Sequence, residues 1–170
     1  MKKYLNPYVL VFLVAIVSAN LVLFFLGPVP WAMVNGFIFI GLDFVIRDKL
    51  HDIWETHLWK RMLGLIFTGS TISVFFNLGA LQIAIASFIA FLVAGMVDAV
   101  IYHSLKDKKW LIKSNASNAG GAIADSILFP SIAFGAFMPE VILGQIASKF
   151  LGGLVWSYVI TKIRKRLQEF

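Results

Sequence analysis

Residues 114–129 read SNASNAGGAIADSILF. With its flanks the stretch is long enough to cross a bilayer, yet it holds Asn115, Asn118, Asp125 and the pair Gly120–Gly121. Polar groups placed there need a solvent other than lipid, so the rest of the chain decides what they are for. That rest is apolar. Hydrophobic residues make up 59% of the 170, with 16 Phe and a mean hydropathy of +0.84, against roughly 45–50% apolar residues in soluble domains.

Working outward from 114–129, apolar runs near the ~20 residues that span a bilayer recur on both sides. They cover about 7–26, 30–46, 61–78, 81–103, 114–136 and 139–161. A membrane-spanning backbone must satisfy its own hydrogen bonds, and continuous runs without strict alternation favour helices over a barrel. The expectation is an all-α integral membrane protein, residues 1–170 forming a single transmembrane domain of six transmembrane helices. The start, MKKYLNPYVL, has a basic opening like a signal peptide's, but its apolar run is too long and lacks a small-residue cleavage pattern. It reads as a retained first span.

Orientation follows from the basic residues, which cytoplasmic loops retain. Lys2 and Lys3 precede the first span; Arg47, Lys49, Lys60 and Arg61 separate the second and third; Lys106, Lys108, Lys109 and Lys113 separate the fourth and fifth; Lys162, Arg164, Lys165 and Arg166 follow the sixth. That puts 14 of the 15 basic residues on one side, so both termini should be cytoplasmic. The net charge of +6 is then a record of topology and contact with anionic lipid, and no nucleic acid partner is expected. The joint at 47–61 places Leu50, Ile53, Trp54 and Leu58 at helical spacing, which predicts an amphipathic helix lying along the inner surface. Trp31, Trp59 and Trp110 fall near the interfaces, where indoles anchor.

The chain has no Cys, and His51, His57 and His103 lack partners at metal-ligand spacing. No metal site or cofactor is expected, and no Gly-x-x-x-x-Gly-Lys-[Ser/Thr] motif is present to hold ATP. No Ser/His or His/Glu constellation lies at membrane depth, so the chain does not read as an enzyme.

Clear of the span edges, four charged residues remain within the spans: Asp43, Asp98, Asp125 and Lys149. A charge at the bilayer centre costs at least ~2.5–3.5 kcal/mol, so such residues face a cavity or one another. Asp43 stands four residues before Arg47, a spacing that suits a local ion pair. Asp125 and Lys149 lie roughly 16 Å and 15 Å into their spans at ~1.5 Å per residue, so antiparallel neighbours would bring them to one depth. Asn118 shares a helix face with Asp125, Gln145 shares one with Lys149, and Ser126 adjoins the Asp. Gly120 and Gly121 leave room for a backbone or a flat ligand. The candidate substrate-binding residues are therefore Asp125, Lys149, Asn118, Gln145, Asp98, Asp43, Ser126 and Phe129, the last as a stacking platform. A nucleobase suits this set, since a carboxylate accepts adjacent N–H donors and an amine donates to a carbonyl. An amino acid, a sugar or a proton path would suit it equally.

The runs GLDFVIRDKLHDIW (41–54), MVDAVIYHSLKDKKWLIKSNASNAGGAIADSILFPSIAFG (96–135) and GQIASK (144–149) resemble the VUT family of vitamin-uptake-like transporters, also called queuosine precursor transporters. The resemblance rests on Asp43 with Arg47 and Asp48, Asp98 with Tyr102, Ser117–Asn118 through Asp125, Ser126 and Phe129, and Gly144–Gln145 with Lys149. It implies import of a small-molecule 7-deazapurine substrate, chiefly 7-cyano-7-deazaguanine, across the bacterial inner membrane. Three spans per half would make two inverted three-helix halves, although no sequence repeat is evident. A homo-oligomer is compatible with this reading. The competing reading is a substrate-binding subunit of an energy-coupling-factor importer, also six-helical, for which Ala15 and Ala19 offer a docking pair and a separate ATPase would be the partner.

Overall fold

A computed structural model describes residues 6–27, 30–54, 57–76 and 78–168. Among them there are helices and no strands. Helix α1 (Pro7–Leu26) starts at a proline, whose missing N–H costs nothing at that position, and Asn6 caps it by accepting from the Tyr8 N–H at 3.0 Å. It stops at Gly27, whose φ of +78° glycine adopts freely and whose N–H closes on the Leu23 carbonyl. A second rod follows without interruption: α2 (Trp31–Asn35), a π-helical turn (Gly36–Ile40) and α3 (Gly41–Ile53). Helix α4 (Leu58–Phe76) leads through a short 3-10 turn (Leu78–Ala80) into α5 (Leu81–Ser104). Helices α6 (Trp110–Ala133) and α7 (Pro139–Gln168) complete six helical rods.

Helix α6 packs along α5 on one side and against α7 on the other, while α4 lies against α1 and α5. Small residues set the closest approaches: Ala86, Ala90 and Ala94 are buried on α5, and Gly41 of α3 meets the backbone of Gly152 on α7, where a Cβ would come within 2.7 Å. No side chain fits between those two rods, and the crossing holds the second rod close to α7.

Polarity runs from inside to outside, opposite to a soluble protein. Phe75 and Phe76 are 85% and 71% exposed, whereas Asp48 and Asp98 are 0% exposed and Arg47 1%. Such an exterior needs hydrocarbon around it. Helices α1 and α5 are long and apolar enough to cross a membrane on length and composition alone; the other rods carry polar residues that face inward.

The inner-surface helix expected over 47–61 is corrected. The second rod continues straight from its apolar run to Ile53, and Arg47, Asp48, Lys49 and Leu50 are all buried. The charged side of this segment faces other helices, because Arg47 meets Asp98 of α5 and Asp48 meets Ser114 of α6. Ile53 stays exposed. The expectations for Lys2 and Lys3, and for the side chains of Leu58, Trp59, Arg164, Lys165 and Arg166, lie outside the described residues.

Candidate functional site

One face of α6, read at steps of three and four, is buried: Ser114, Ser117, Asn118, Gly121, Ala122, Asp125, Ser126 and Phe129. Ser114, Ser117, Asn118, Asp125 and Ser126 therefore point into the bundle, while Asn115 is half-buried and accepts from Ser157 Oγ of α7 at 3.2 Å. Opposite them, α7 presents Gln145 and Lys149, one turn apart and nearly inaccessible. The Lys149 ammonium donates to Asp125 Oδ2 at 2.5 Å, to Gln145 Oε1 at 2.5 Å and to Ser126 Oγ at 3.1 Å. Three donors meet three acceptors, one of them charged, so the amine is fully satisfied at 2% exposure. The pair foreseen from the depths of Asp125 and Lys149 forms, with Gln145 and Ser126 as its supports.

A cavity opens beside this ion pair. Asp125, Phe129, Gln145 and Lys149 form one wall, and α1, α2 and α5 complete it with Asn20, Asn35, Ser87 and Phe91. The space open to the centre of a water-sized molecule is about 20 Å³, within a wider empty volume of about 290 Å³. That is room for about one water. The polar groups among these, Asn20, Asn35 and Ser87, were not anticipated from the sequence. Asn20 donates to Ser73 Oγ at 3.1 Å and accepts from Ser87 Oγ at 2.5 Å, which ties α1 to α4 and α5. Asn35 donates to the Ala19 carbonyl at 3.2 Å. The desolvation cost that marks a charge within an apolar run also marks a carboxamide there, at a smaller magnitude.

The remaining candidates gather elsewhere. Asp98 pairs with Arg47 at 3.2 Å, both essentially inaccessible. Asp43, 1% exposed, lies within electrostatic range of Arg47, Asp98 and Asp125 but does not line the cavity. The ion pair suggested by the spacing of Asp43 and Arg47 gives way to one between helices. Asp48 accepts from Ser114 Oγ, and Asn118 donates to that same oxygen at 3.4 Å. Asn118 thus belongs to this second cluster and not to the cavity wall. The glycine pair also serves different neighbours from those expected: the Gly121 Cα faces the Arg47 guanidinium, with a Cβ position 3.2 Å from Nη2, and Gly120 lies against Ile101. Room at Gly121 is taken by a guanidinium.

At the end of the rods beyond this cluster, Asp52 accepts from the Tyr102 hydroxyl at 2.6 Å and pairs with Lys113 at 3.2 Å. The Lys113 ammonium stands 4.2 Å from the Tyr102 ring centroid, and Lys49 stands 3.3 Å from that of Trp110. His51, past the apolar run of the second rod, sits among Arg47, Asp98, Asp52 and His103. Burial pulls its imidazole down to about 4; the charges of Arg47 and His103 act in the same direction, and those of Asp98 and Asp52 act against it. The unfolded chain therefore takes up a proton below about pH 6.5 that the folded chain refuses. Stability from this group is complete above that pH and is lost as pH falls toward 4. We expect the melting temperature in detergent micelles to decline across this window with a smaller slope in His51→Gln. Equal slopes in parent and variant would contradict the assignment.

Residues 70–163 match a family described as "putative vitamin uptake transporter". The chain belongs to that family. The matched region runs from α4 through α7 and includes Asp98, Asp125, Gln145 and Lys149. A relative from Haemophilus influenzae, named "probable queuosine precursor transporter", is 36% identical over 113 residues, covering 58% of this chain and 48% of the relative. The chain thus spans about half the length of that relative. No solved structure matches it. The family and this relative are both described as transporters, and with the apolar exterior they make this chain a helical membrane protein.

Proposed function

We propose that the chain is a carrier importing a 7-deazaguanine, chiefly 7-cyano-7-deazaguanine, across a bacterial inner membrane. The observation that carries this reading is the Asp125–Lys149 pair, buried in a helical membrane protein and lining a cavity together with carboxamides and the Phe129 ring. Lipid-exposed proteins keep ionised groups in the interior chiefly along solute and ion pathways. The flat ring of a deazaguanine suits Phe129, its N–H edge suits Asp125, and its carbonyl suits Lys149 or Gln145.

All six rods cross the membrane in this reading, with both termini cytoplasmic. Lys113, Tyr102 and Asp52 meet at one end, which gathers the ends of α3 and α5 and the start of α6 on the side of the basic loops. Acyl chains cover the outer faces, and two inverted three-helix halves would alternate access around the ion pair. A space for about one water does not admit a bicyclic base. The wall carrying Asn20 and Asn35 must therefore separate from the wall of α6 and α7 for the ligand to enter, as expected for an occluded carrier.

The test is uptake of labelled 7-cyano-7-deazaguanine by cells unable to make it, with and without a proton uncoupler. Expression of the chain should raise accumulation well above that of empty-vector cells. No rise under either condition would overturn the proposal, and the uncoupler arm reports whether a proton gradient drives the import.

A further inference from the structure

Among the groups lining the cavity, Asn35 has one end unused. The side chain is 2% exposed, its Nδ2 donates to the Ala19 carbonyl, and its Oδ1 has no partner among the described residues. A carbonyl can only accept, so that hydrogen bond fixes which end of the carboxamide is which. The atom left over is an acceptor. Asn20 on the same cavity uses both its ends, as donor to Ser73 and acceptor from Ser87, and so serves as wall. Leaving a buried amide oxygen unpaired is costly unless something arrives to meet it.

The local backbone directs this side chain. Asn35 is the last residue of α2, and the π-helical turn starts at Gly36. Gly36 stands where a Cβ would come within 2.7 Å of Ser148 Oγ and 3.1 Å of Lys149 Cγ, so the backbone here is seated directly on α7 beside the ion pair. A π turn inserts one residue into the helix, which turns everything before it by about 100° relative to uninterrupted α-helix. The face that Asn35 shows to the cavity is set by that insertion.

We infer that Asn35 is a specificity-determining residue: its Oδ1 accepts a hydrogen bond from a neutral N–H donor of the transported ligand. This inference rests on the proposed transport of a 7-deazaguanine. Lys149 already engages Asp125 Oδ2, Gln145 Oε1 and Ser126 Oγ, whereas the carboxamide oxygen of Asn35 meets no donor among the described residues and can take a ligand N–H beside the one that Asp125 receives. A neutral acceptor in a desolvated position suits a ring N–H or an exocyclic amine on a planar heterocycle, and it discriminates against a ligand whose N–H is replaced by a substituent.

The experiment measures binding to the full chain in lipid nanodiscs. The ligands are 7-cyano-7-deazaguanine, its N9-methyl analogue and its analogue lacking the 2-amino group. Wild type should bind one of the two analogues about 10-fold or more weaker than the parent, the scale of a lost hydrogen bond to a buried group. Asn35→Leu, similar in volume and without an acceptor, should bind the parent weaker by a similar factor and bind that analogue no weaker than wild type does. Losses that multiply for both analogues, or a variant equal to wild type on the parent, would overturn the inference. If Asn35→Leu does not insert, Asn35→Ala carries the same comparison, and wild type binding both analogues as tightly as the parent overturns the inference without any variant. Absence of binding by any 7-deazaguanine refutes the proposed substrate, and this inference falls with it. Binding of the parent without analogue discrimination refutes only the role of Asn35.

Discussion

Asp125→Ala should reduce uptake of the proposed 7-deazaguanine substrate to background and lower the stability of the folded protein by about 3–5 kcal/mol, the range for breaking a buried pair from one side. The substitution leaves the Lys149 ammonium, 2% exposed in the parent, with the neutral acceptors Gln145 and Ser126 as its partners among the described residues. Lys149→Ala should do the same from the other side, because the Asp125 carboxylate is then left in the bundle without its cation. Both effects are read by tritiated-substrate uptake and by melting of the detergent-solubilised protein. The double variant Asp125→Asn with Lys149→Gln separates two roles. It removes both charges and keeps hydrogen-bonding groups of similar size, so insertion and melting should recover while uptake stays at background. Uptake restored along with stability would reduce the pair to a structural ion pair and sink the assignment of a binding site.

Much of this pair was legible in the sequence, for a physical reason. Ionised groups deep in apolar runs are few, and antiparallel neighbours at equal depth leave an Asp and a Lys little choice of partner. Gln145 followed from its spacing of four to Lys149. Asn20, Asn35 and Ser87 were hidden because their runs are apolar on every side, so periodicity does not say which face is inward. The misplaced segment was 47–61. Its amphipathic period is real, and at a membrane surface the polar side would face water, whereas Arg47 and Asp48 have buried partners on α5 and α6. A contact between residues 47 and 98 has no local signature. The Gly120–Gly121 pair was legible as a place of close approach, but the occupants, Ile101 and Arg47, come from helices whose packing the chain order leaves open.

Arg47→Met should be the most destabilising single change at the second cluster. Arg47 is the buried guanidinium among Asp43, Asp48 and Asp98, each at most 1% exposed, and its Nη2 lies 3.2 Å from Asp98 Oδ1. Methionine fills much of the stem volume and removes the charge, so three carboxylates then face one another without this cation. A loss of about 3–5 kcal/mol is expected, seen as a fall in melting temperature and in the amount of protein retained in membranes. Arg47→Lys should recover only part of the loss. The planar fork of an Arg presents donors to several sides at once, and an ammonium is a single point of charge. The space beside Gly95 and Gly121, where Cβ atoms would lie 3.9 Å and 3.2 Å from the guanidinium nitrogens, is shaped for the fork. Neutralising one acid should help more than replacing the base: Arg47→Met with Asp98→Asn is expected to melt above Arg47→Met alone, because the amide no longer demands a cation and can donate to a neighbouring carboxylate. A double variant no more stable than Arg47→Met would contradict the assignment of Asp98 as the partner that the guanidinium balances.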